Sequence, residues 1–443
     1  MKVSRRAVLG AGVAAVARAA RAQASAAPNI VFLISDDHSW TDLGCYGNRA
    51  ARTPNLDRLA KQGTRFTHCF VTSPQCSPNR SAIFTGMPAH QTATSRLHAP
   101  MPAEQTTFLE GLRERGYFLG AYRKVHQGAE FDKRWDFYRG EKARFSEFFS
   151  ARPKDRPFFL QMGFTDPHRP YPGKAFDPPT NPKDVAVPRW LPDTPEVRRD
   201  LADYLDEIAR MDGECGEVLR LLEEQGLERN TMVVFTADNG MPFPPRAKGT
   251  LYEYGIRVPL LVRWPGRAAA GVVSNRLVSH VDLPVTWLEA AGAAKPGRMR
   301  GVDILNGPPR REIFSERNWH DNFDLMRAIR TERHKLIYNA MPEKPNRPIS
   351  DLAASPTWGA YQAAGKAGRL SEGQARELAP RRALLELYDL ERDPDELTNL
   401  AEAPEHEAMR EELLKRLSAW MDGTNDFLPP PFRMFEGKRR PTL

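Results

Sequence analysis

The 443-residue chain has only four cysteines, and their spacing argues against the usual structural roles of this residue. Cys45, Cys69, Cys76 and Cys215 include no C-x-x-C pair. This disfavours a structural zinc site and a disulfide framework. One pair could still be bridged, which spacing alone does not decide.

The chain also lacks an apolar run long enough to cross a bilayer as a mature helix. Its apolar run at Ala7–Ala17 is short, follows Arg5 and Arg6, and precedes small residues that end at Ala24, a pattern typical of an export signal. The stretch "SRRAVLG" resembles a twin-arginine signal, with an ordinary secretory signal as the alternative. We therefore expect a signal peptide over residues 1–24 and a bacterial protein exported by the twin-arginine machinery. It would be periplasmic or secreted, without stable membrane anchoring.

The basic character of the chain does not predict a nucleic-acid partner. The formal net charge is +8, but five basic residues and no acidic one precede Ala24. The rest of the chain therefore carries a charge of only about +3. No arginine-rich helix or aromatic-basic repeat follows, so we expect no nucleic-acid binding.

Near-continuous apolar runs of strand length alternate with helical patterns in the first two-thirds of the chain. The runs are "NIVFLIS" (29–35), "PFFLQMGF" (157–164), "TMVVFTA" (231–237) and "VPLLVRW" (258–264). Such runs are typical of strands buried on both faces. They predict an α/β domain over residues 25–310.

The pattern changes after residue 310. Shorter strand-like runs separated by charged turns, then an amphipathic helix near 405–421, predict a small α+β domain over residues 311–443. The proline-rich segment 167–195 is instead expected to be a loop over one face of the larger sheet.

Polar clusters follow three of the predicted strands. Asp36 and Asp37 follow the first, "TDPHRPY" the second, and Asp238 and Asn239 the third. Ligands in open α/β sheets bind beyond the carboxyl ends of the strands, so these clusters are expected to converge. Each alone could simply cap a turn, but together they offer the oxygen ligands that Ca²⁺ or Mg²⁺ prefers.

The segment "CSPNRSAIFTG" (76–86) predicts a helix that begins at Cys76. A helix N-terminus favours anions, and Arg80 adds positive charge. The segment is therefore expected to face a negatively charged group.

The same segment resembles the sulfatase signature C-x-P-x-R, in which the cysteine is oxidised after translation to formylglycine. "GYFLGAYRKVH" (116–126) and "AKGTLYEYGIRVP" (247–259) resemble two further sulfatase segments. Leu119, Arg123, Val125 and Tyr254 depart from the usual pattern without removing a charged catalytic position. The chain is thus similar to the type I sulfatases from Asn29 to about Pro265.

This resemblance implies the alkaline-phosphatase-like fold, a large mixed sheet sandwiched by helices with a smaller C-terminal α+β domain (antiparallel sheet plus helix). It also implies a formylglycine-generating maturase and a divalent ion, usually Ca²⁺ with Mg²⁺ as the alternative. The implied ion ligands are Asp36, Asp37, the modified Cys76, Asp238 and Asn239.

The resemblance further implies a hydrated formylglycine as nucleophile, with a role for each charged residue of the motifs. Arg80 would stabilise the alkoxide, and Lys124 and Lys248 would face the sulfate oxygens. His168, with Lys248, would protonate the leaving group, and His126 would help the second hydroxyl expel sulfate.

Segments outside the signatures suggest the substrate. Residues 155–171 and 387–401 look like those of heparan N-sulfatases, which implies a sulfated saccharide and the N-sulfate of glucosamine. The stretch 248–259 follows the general O-sulfatase pattern instead. Sugar contacts are expected from loop residues at the mouth of the sheet, which could equally be ordinary loop residues: Asp166, Arg169, Trp319, His320 and Asp321.

Other readings stay open from the sequence. The enzyme alternatives are an O-sulfatase on another glycan and a phosphonate monoester hydrolase or phosphodiesterase of the same superfamily. A different alternative is a glycan-binding protein that has the same fold but no catalytic turnover. A cysteine hydrolase would use Cys76 with His126.

Overall fold

The computed structural model describes residues 27–171 and 176–431 of the chain. The predicted signal peptide at residues 1–24 lies outside the described residues. Within those ranges no helix is both long and apolar enough to cross a membrane.

An eight-stranded sheet forms the larger part of the molecule. Its strand order is β4-β3-β5-β1-β6-β7-β2-β8. The strands are β1 (Asn29–Ser35), β2 (Thr64–Phe70), β3 (Phe118–Arg123), β4 (Phe137–Arg139), β5 (Phe158–Gly163), β6 (Thr231–Ala237), β7 (Arg257–Arg263) and β8 (Val272–Ser279). All four predicted strands are present, as β1, β5, β6 and β7.

One strand of this sheet runs against the others. Strand β7 pairs antiparallel with both β6 and β2, whereas every other neighbouring pair is parallel. The N-terminal end of β7 therefore lies at the same edge as the carboxyl ends of its neighbours. This confirms a mixed sheet, and it brings the segment before β7 to the edge where ligands bind.

Burial on both faces explains the apolar runs of the central strands. Along β1, Ile30, Phe32 and Ile34 pack into the core on one face, and Val31 and Leu33 into the core on the other. Successive side chains of a strand point to opposite faces, so a strand covered on both sides needs apolar residues throughout.

Helices cover both faces of the sheet. Within the larger part they are α1 (Pro54–Gln62), α2 (Cys76–Thr85), α3 (Phe108–Glu114), α4 (Ala129–Asp132), α5 (Ser146–Ala151), α6 (Pro195–Glu224), α7 (Glu253–Ile256) and α8 (Asp282–Ala291). Between β5 and α6 the described residues form turns and bends only, as the proline content predicts.

A separate antiparallel sheet follows, with strand order β12-β11-β10-β9. Its strands are β9 (Glu312–Trp319), β10 (Phe323–Thr331), β11 (His334–Asn339) and β12 (Leu385–Asp389). The last helix, α12 (Glu407–Gly423), packs its apolar side against this sheet and confirms the predicted C-terminal helix. The remaining helices are α9 (Ser350–Ala353), α10 (Pro356–Lys366), α11 (Glu372–Ala375) and α12 (Glu407–Gly423).

The segment between β11 and β12 returns to the large sheet's side of the molecule. Tyr361 of α10 belongs to the same apolar core as helix α6. Thr357 Oγ1 also donates a hydrogen bond of 2.6 Å to Asp200 Oδ2 of α6. Residues well beyond the predicted boundary at 310 therefore contact the larger domain.

The end of β5 approaches the chain after β3 so closely that only glycine fits there. A Cβ on Gly163 would lie 2.1 Å from the backbone oxygen of Lys124. We expect Gly163→Ala to lower the free energy of unfolding by about 2 kcal/mol, the usual cost of overpacking. Urea-induced unfolding measures this.

Gly213→Ala is the matched control, since Gly213 lies inside helix α6 and an added Cβ meets nothing within 4 Å. There we expect a gain of about 1 kcal/mol from helix propensity. Equal effects of the two substitutions would contradict the close approach at Gly163.

Candidate active site

The carboxyl edge of the large sheet collects charged residues from the two acidic clusters and from the three sulfatase-like segments. Asp36 follows β1, Asp238 follows β6 and Lys124 follows β3, while Cys76 begins helix α2 just after β2. Lys248 reaches the same edge because it precedes the reversed strand β7. Chain topology thus brings together residues far apart in sequence.

An oxygen-rich cluster lies at the centre of this edge. One potential ligand atom each from Asp36, Asp37, Cys76 and Asp238 lies within 4.8 Å of the others, and all four residues are buried. The Oδ1 atom of Asn239 is also buried and has no hydrogen-bond partner among the described residues. Apart from the Cys76 sulfur, these are hard oxygen donors with one unused acceptor, a set that fits Ca²⁺ or Mg²⁺.

Each of the three carboxylates is paired with its own cation. Arg80 Nε donates to Asp238 Oδ2 at 2.8 Å, and Lys248 Nζ donates to Asp37 Oδ2 at 2.8 Å. Lys124 Nζ forms an ion pair with Asp36. Buried charges are tolerated when they are paired in this way.

The pairing and the burial act on these carboxyl groups in opposite directions. Burial and the neighbouring Asp36 raise the pKa of Asp238 to about 6. Burial would also raise the pKa of Asp36, but Lys124, His168 and Arg80 outweigh it and hold that pKa below its usual range. The surrounding cations therefore keep Asp36 ionised, whereas Asp238 binds a proton more readily than an ordinary carboxyl group does.

Cys76 is the first residue of helix α2 and is almost completely buried. Its Sγ donates to Asp36 Oδ1 at 3.4 Å. Burial, followed by the charges of Asp238 and Asp36, raises the pKa of the thiol well above its ordinary value. The unmodified thiol is thus a poor nucleophile, because thiolate is the reactive form. All four cysteines of the chain are free.

His168 faces two carboxylates. Its Nε2 lies 3.8 Å from Asp37 Oδ2 and 3.6 Å from Asp351 Oδ2. Its Nδ1 lies 2.5 Å from the backbone oxygen of Arg169, which only accepts hydrogen bonds, so Nδ1 carries a proton. The charge of Asp37 outweighs burial and raises the pKa of His168 to about 9.

His126 has a different environment, beside a histidine that the motifs did not predict. His126 Nε2 lies 2.6 Å from His98 Nδ1, so one hydrogen bond joins the two rings. Burial and the charge of Lys124 lower the pKa of His126 to about 3. His126 is therefore neutral at pH 7.

Two of the expected sugar contacts have other partners. Arg169 makes a bidentate ion pair with Asp200, at 2.7 and 2.8 Å, and donates its Nε–H to the oxygen of Pro242. Asp166 pairs with Arg210 at 2.5 Å. These contacts hold the loop after β5 and use all three guanidinium nitrogens of Arg169, whereas Asp166 Oδ2 has no hydrogen-bond partner among the described residues.

The other expected sugar contacts lie together near the mouth. His320 Nδ1 is 2.9 Å from Asp321 Oδ1, and the ring of Trp319 is 42% exposed. His320 Nε2 faces Asp351, 3.9 Å from its Oδ1.

Asp351 and His98 carry no sequence signal for this site. Asp351 lies 103 residues from Lys248, whose Nζ is 2.6 Å from Asp351 Oδ2. His98 lies in a loop outside the resembling segments. Only the assembled fold places either one at the pocket.

Comparison with protein families decides the identity. The family model "Sulfatase" matches residues 28–151 and 142–293. The chain belongs to the sulfatase family. A second model, "N-sulphoglucosamine sulphohydrolase, C-terminal", matches residues 246–357 and so includes both Lys248 and Asp351. The sulfatase is accordingly a sulfuric ester hydrolase.

Curated relatives extend over most of the sulfatase chain. Human N-sulphoglucosamine sulphohydrolase is 31% identical over 463 residues, covering 90% of each protein. A Formosa agariphila ulvan-active sulfatase is 29% identical over 460 residues, covering 90% of this chain and 75% of that protein.

Solved structures share the fold. BT4656 in complex with its substrate D-glucosamine-2-N,6-O-disulfate has a TM-score of 0.71 at 20% identity, covering 92% of this chain and all of that one. Phosphonate monoester hydrolase of Agrobacterium radiobacter has a TM-score of 0.69 at 18% identity, covering 90% and 96%. At these identities the likeness establishes the architecture alone.

The buried ion pairs of this sulfatase predict a large effect of removing one cation. Lys248→Met would remove the cation that hydrogen-bonds the buried Asp37, with His168 remaining at 3.8 Å. We expect the free energy of unfolding to fall by about 3 kcal/mol, as for other broken buried pairs. Denaturant titration of the metal-free protein measures this.

Lys133→Met is the control, since Lys133 and its partner Glu130 are both exposed. There the expected change is within about 0.5 kcal/mol. If Lys248→Met lowers the free energy of unfolding no more than Lys133→Met does, the predicted stability cost of breaking a buried ion pair in the pocket is wrong.

Proposed function

We propose that this sulfatase hydrolyses the N-sulfate of glucosamine in saccharides of the heparan type. The observation that carries sulfate hydrolysis is the arrangement of Arg80, Lys124, Lys248 and His168 around the buried Cys76. The match of residues 246–357 to the N-sulphoglucosamine sulphohydrolase C-terminal family supports the choice of sulfate. The 31% identity to the human enzyme of that name supports it further.

Cys76 is proposed to be converted to formylglycine by a dedicated maturase, and the hydrated aldehyde then supplies a hydroxyl nucleophile. The raised pKa of the thiol is an argument against the alternative cysteine hydrolase. Cys76 stands at the N-terminus of helix α2, where backbone N–H groups favour an anionic substrate.

A calcium ion, with magnesium as the alternative, fits the cluster of Asp36, Asp37, Asp238 and Asn239. When bound, the ion would supply positive charge that lowers the cost of an oxyanion at residue 76. The unused Oδ1 of Asn239 supports this assignment, because a buried acceptor without a partner is costly.

The remaining catalytic roles are assigned to lysine and histidine side chains of the chain itself. Lys124 and Lys248 face the sulfate oxygens and stabilise their charge. His168 is protonated at neutral pH and donates its Nε2 proton to the leaving group. His126 is neutral at neutral pH and accepts a proton as sulfate leaves residue 76.

The export signal at residues 1–24 and the division of the chain at residue 310 are further proposals. A twin-arginine signal would let Cys76 be modified in the cytoplasm before folded export to the periplasm. Expression of the full-length chain in a bacterium, with fractionation of the periplasm, tests this location.

Conversion of Cys76 is tested by mass spectrometry of the peptide that contains it. With a co-expressed maturase we expect the mass of an aldehyde in place of a thiol, and without the maturase the thiol. Cys76→Ala is expected to abolish turnover. Full activity from protein whose Cys76 is still a thiol would refute the mechanism.

Substrate class is tested with glucosamine N-sulfate, an aryl sulfate and an aryl phosphonate. We expect kcat/KM for the N-sulfate to exceed that for the phosphonate by about 100-fold or more, a difference of binding in the transition state. Chelation should abolish turnover, with Ca²⁺ restoring it better than Mg²⁺. A strong preference for the phosphonate would favour the phosphonate monoester hydrolase alternative, and saccharide binding without sulfate release would favour a glycan-binding protein.

A further inference from the structure

An acidic side chain lies on the leaving-group side of the pocket, where sulfate binding alone does not require one. Asp351 belongs to helix α9, in the segment between β11 and β12 that returns to the large sheet. Its Oδ2 accepts a hydrogen bond of 2.6 Å from Lys248 Nζ and lies 3.6 Å from His168 Nε2. These two residues are the ones that would protonate the leaving group.

The second oxygen of this carboxylate is unused. Asp351 Oδ1 is buried and has no hydrogen-bond partner in the part of the chain that the structure describes. The ring of His320 faces it, with Nε2 at 3.9 Å, beyond hydrogen-bond distance. A buried carboxylate oxygen of this kind is an acceptor that lacks a donor.

Neighbouring contacts fix the position of Asp351. Asp321 Oδ2 accepts the backbone N–H of Ser350 at 2.7 Å. Ile349 is buried and packs beside Gly249, next to Lys248 in the chain. The residues on both sides of the site therefore hold α9 in place.

We propose that Asp351 is a specificity-determining residue that selects an N-linked over an O-linked sulfate. This rests on the proposed function, since it assumes that His168 and Lys248 mark the leaving-group side. A sulfamate nitrogen carries a hydrogen that Asp351 Oδ1 can accept, whereas the bridging oxygen of a sulfate ester has none. The ester oxygen would instead place its lone pairs against a carboxylate, which is unfavourable.

The reaction balances with this assignment. The nucleophile's oxygen forms a bond to sulfur while the N–S bond breaks, and the electron pair of that bond stays on nitrogen. The nitrogen takes the Nε2 proton of His168 and becomes an amine. Sulfate then leaves residue 76 as its C–O bond breaks and the proton of the second hydroxyl passes to His126, which forms the aldehyde again, and water rehydrates the aldehyde. The two protons released by the two hydroxyls restore His168 and convert the amine to an ammonium, so that sulfamate and water give an ammonium and sulfate. Asp351 binds this ammonium product as its counter-ion.

Asp351→Asn tests the proposal with little change of shape. Lys248 would take the amide oxygen as its acceptor, so the amide NH₂ would face the substrate nitrogen, donor against donor. We expect kcat/KM for glucosamine N-sulfate to fall about 100-fold, as for loss of a charged hydrogen bond. The kcat/KM for an aryl sulfate should stay within about threefold or rise, because its bridging oxygen gains nothing from the carboxylate.

Glu343→Gln is the matched control, since Glu343 is exposed in the same returning segment and loses the same charge. It should leave both substrates unaffected. Equal losses for both substrates in Asp351→Asn would overturn the inference and make Asp351 a positioning residue for Lys248, with the proposed function intact. A wild-type enzyme that cleaves the aryl sulfate but not the N-sulfate would overturn the inference and the proposed substrate together.

Calorimetry gives a readout that does not depend on turnover. In a Cys76→Ala background we expect glucosamine to bind at least about tenfold more tightly than N-acetylglucosamine, because only the former is an ammonium. Adding Asp351→Asn should remove this difference. If glucosamine is preferred over N-acetylglucosamine to the same extent with Asp351 and with Asp351→Asn, Asp351 is not the group that binds the ammonium and the proposal is wrong.

Discussion

The need to neutralise three buried carboxylates at one edge of a sheet governs the architecture of this sulfatase. Asp36, Asp37 and Asp238 lie close together, where their mutual repulsion in a low-dielectric interior would be prohibitive if uncompensated. Lys124, Lys248 and Arg80 each pair with one of them. Lys124 and Lys248 are also the cations proposed to face sulfate, so charges that stabilise the fold also prepare the pocket for an anion.

Delivering those cations requires a particular sheet topology. Lys124 follows a parallel strand, as expected for a ligand-binding residue in an α/β sheet. Lys248 comes from the opposite chain direction, before β7, and only the reversal of that strand brings it to the same edge. The segment between β11 and β12 then places Asp351 next to Lys248 in the pocket. A residue from the smaller sheet's part of the chain thus contacts the active site.

Much of this arrangement was predictable from local patterns. The uninterrupted apolar runs predicted β1, β5, β6 and β7, because burial on both faces leaves no polar position along a strand. The helix beginning at Cys76 was predictable from Ser77, Pro78 and Asn79, which suit a first helical turn. The converging clusters after β1 and β6 followed from the rule that parallel strands end at a common edge.

Other features were not predictable from local patterns. The segment "DPHRPY" suggested Arg169 as a sugar contact. In the structure Arg169 forms an ion pair with Asp200, a pairing that no local pattern indicates. His98 and Asp351 lie outside every motif, and their sequence neighbourhoods are those of ordinary loops. Contacts such as these depend on how distant segments pack.

By itself, the sequence determined the types of chemistry available: oxygen ligands, cations, a cysteine at a helix N-terminus, and strands that must be buried. These follow from hydrophobic periodicity and local conformational preference, which act over a few residues. The tertiary structure alone decided which cation neutralises which carboxylate, across as many as 211 residues between Asp37 and Lys248. It also decided that Asp351 lies beside Lys248 and His168, because electrostatic pairing in a buried pocket depends on the packing of the whole chain.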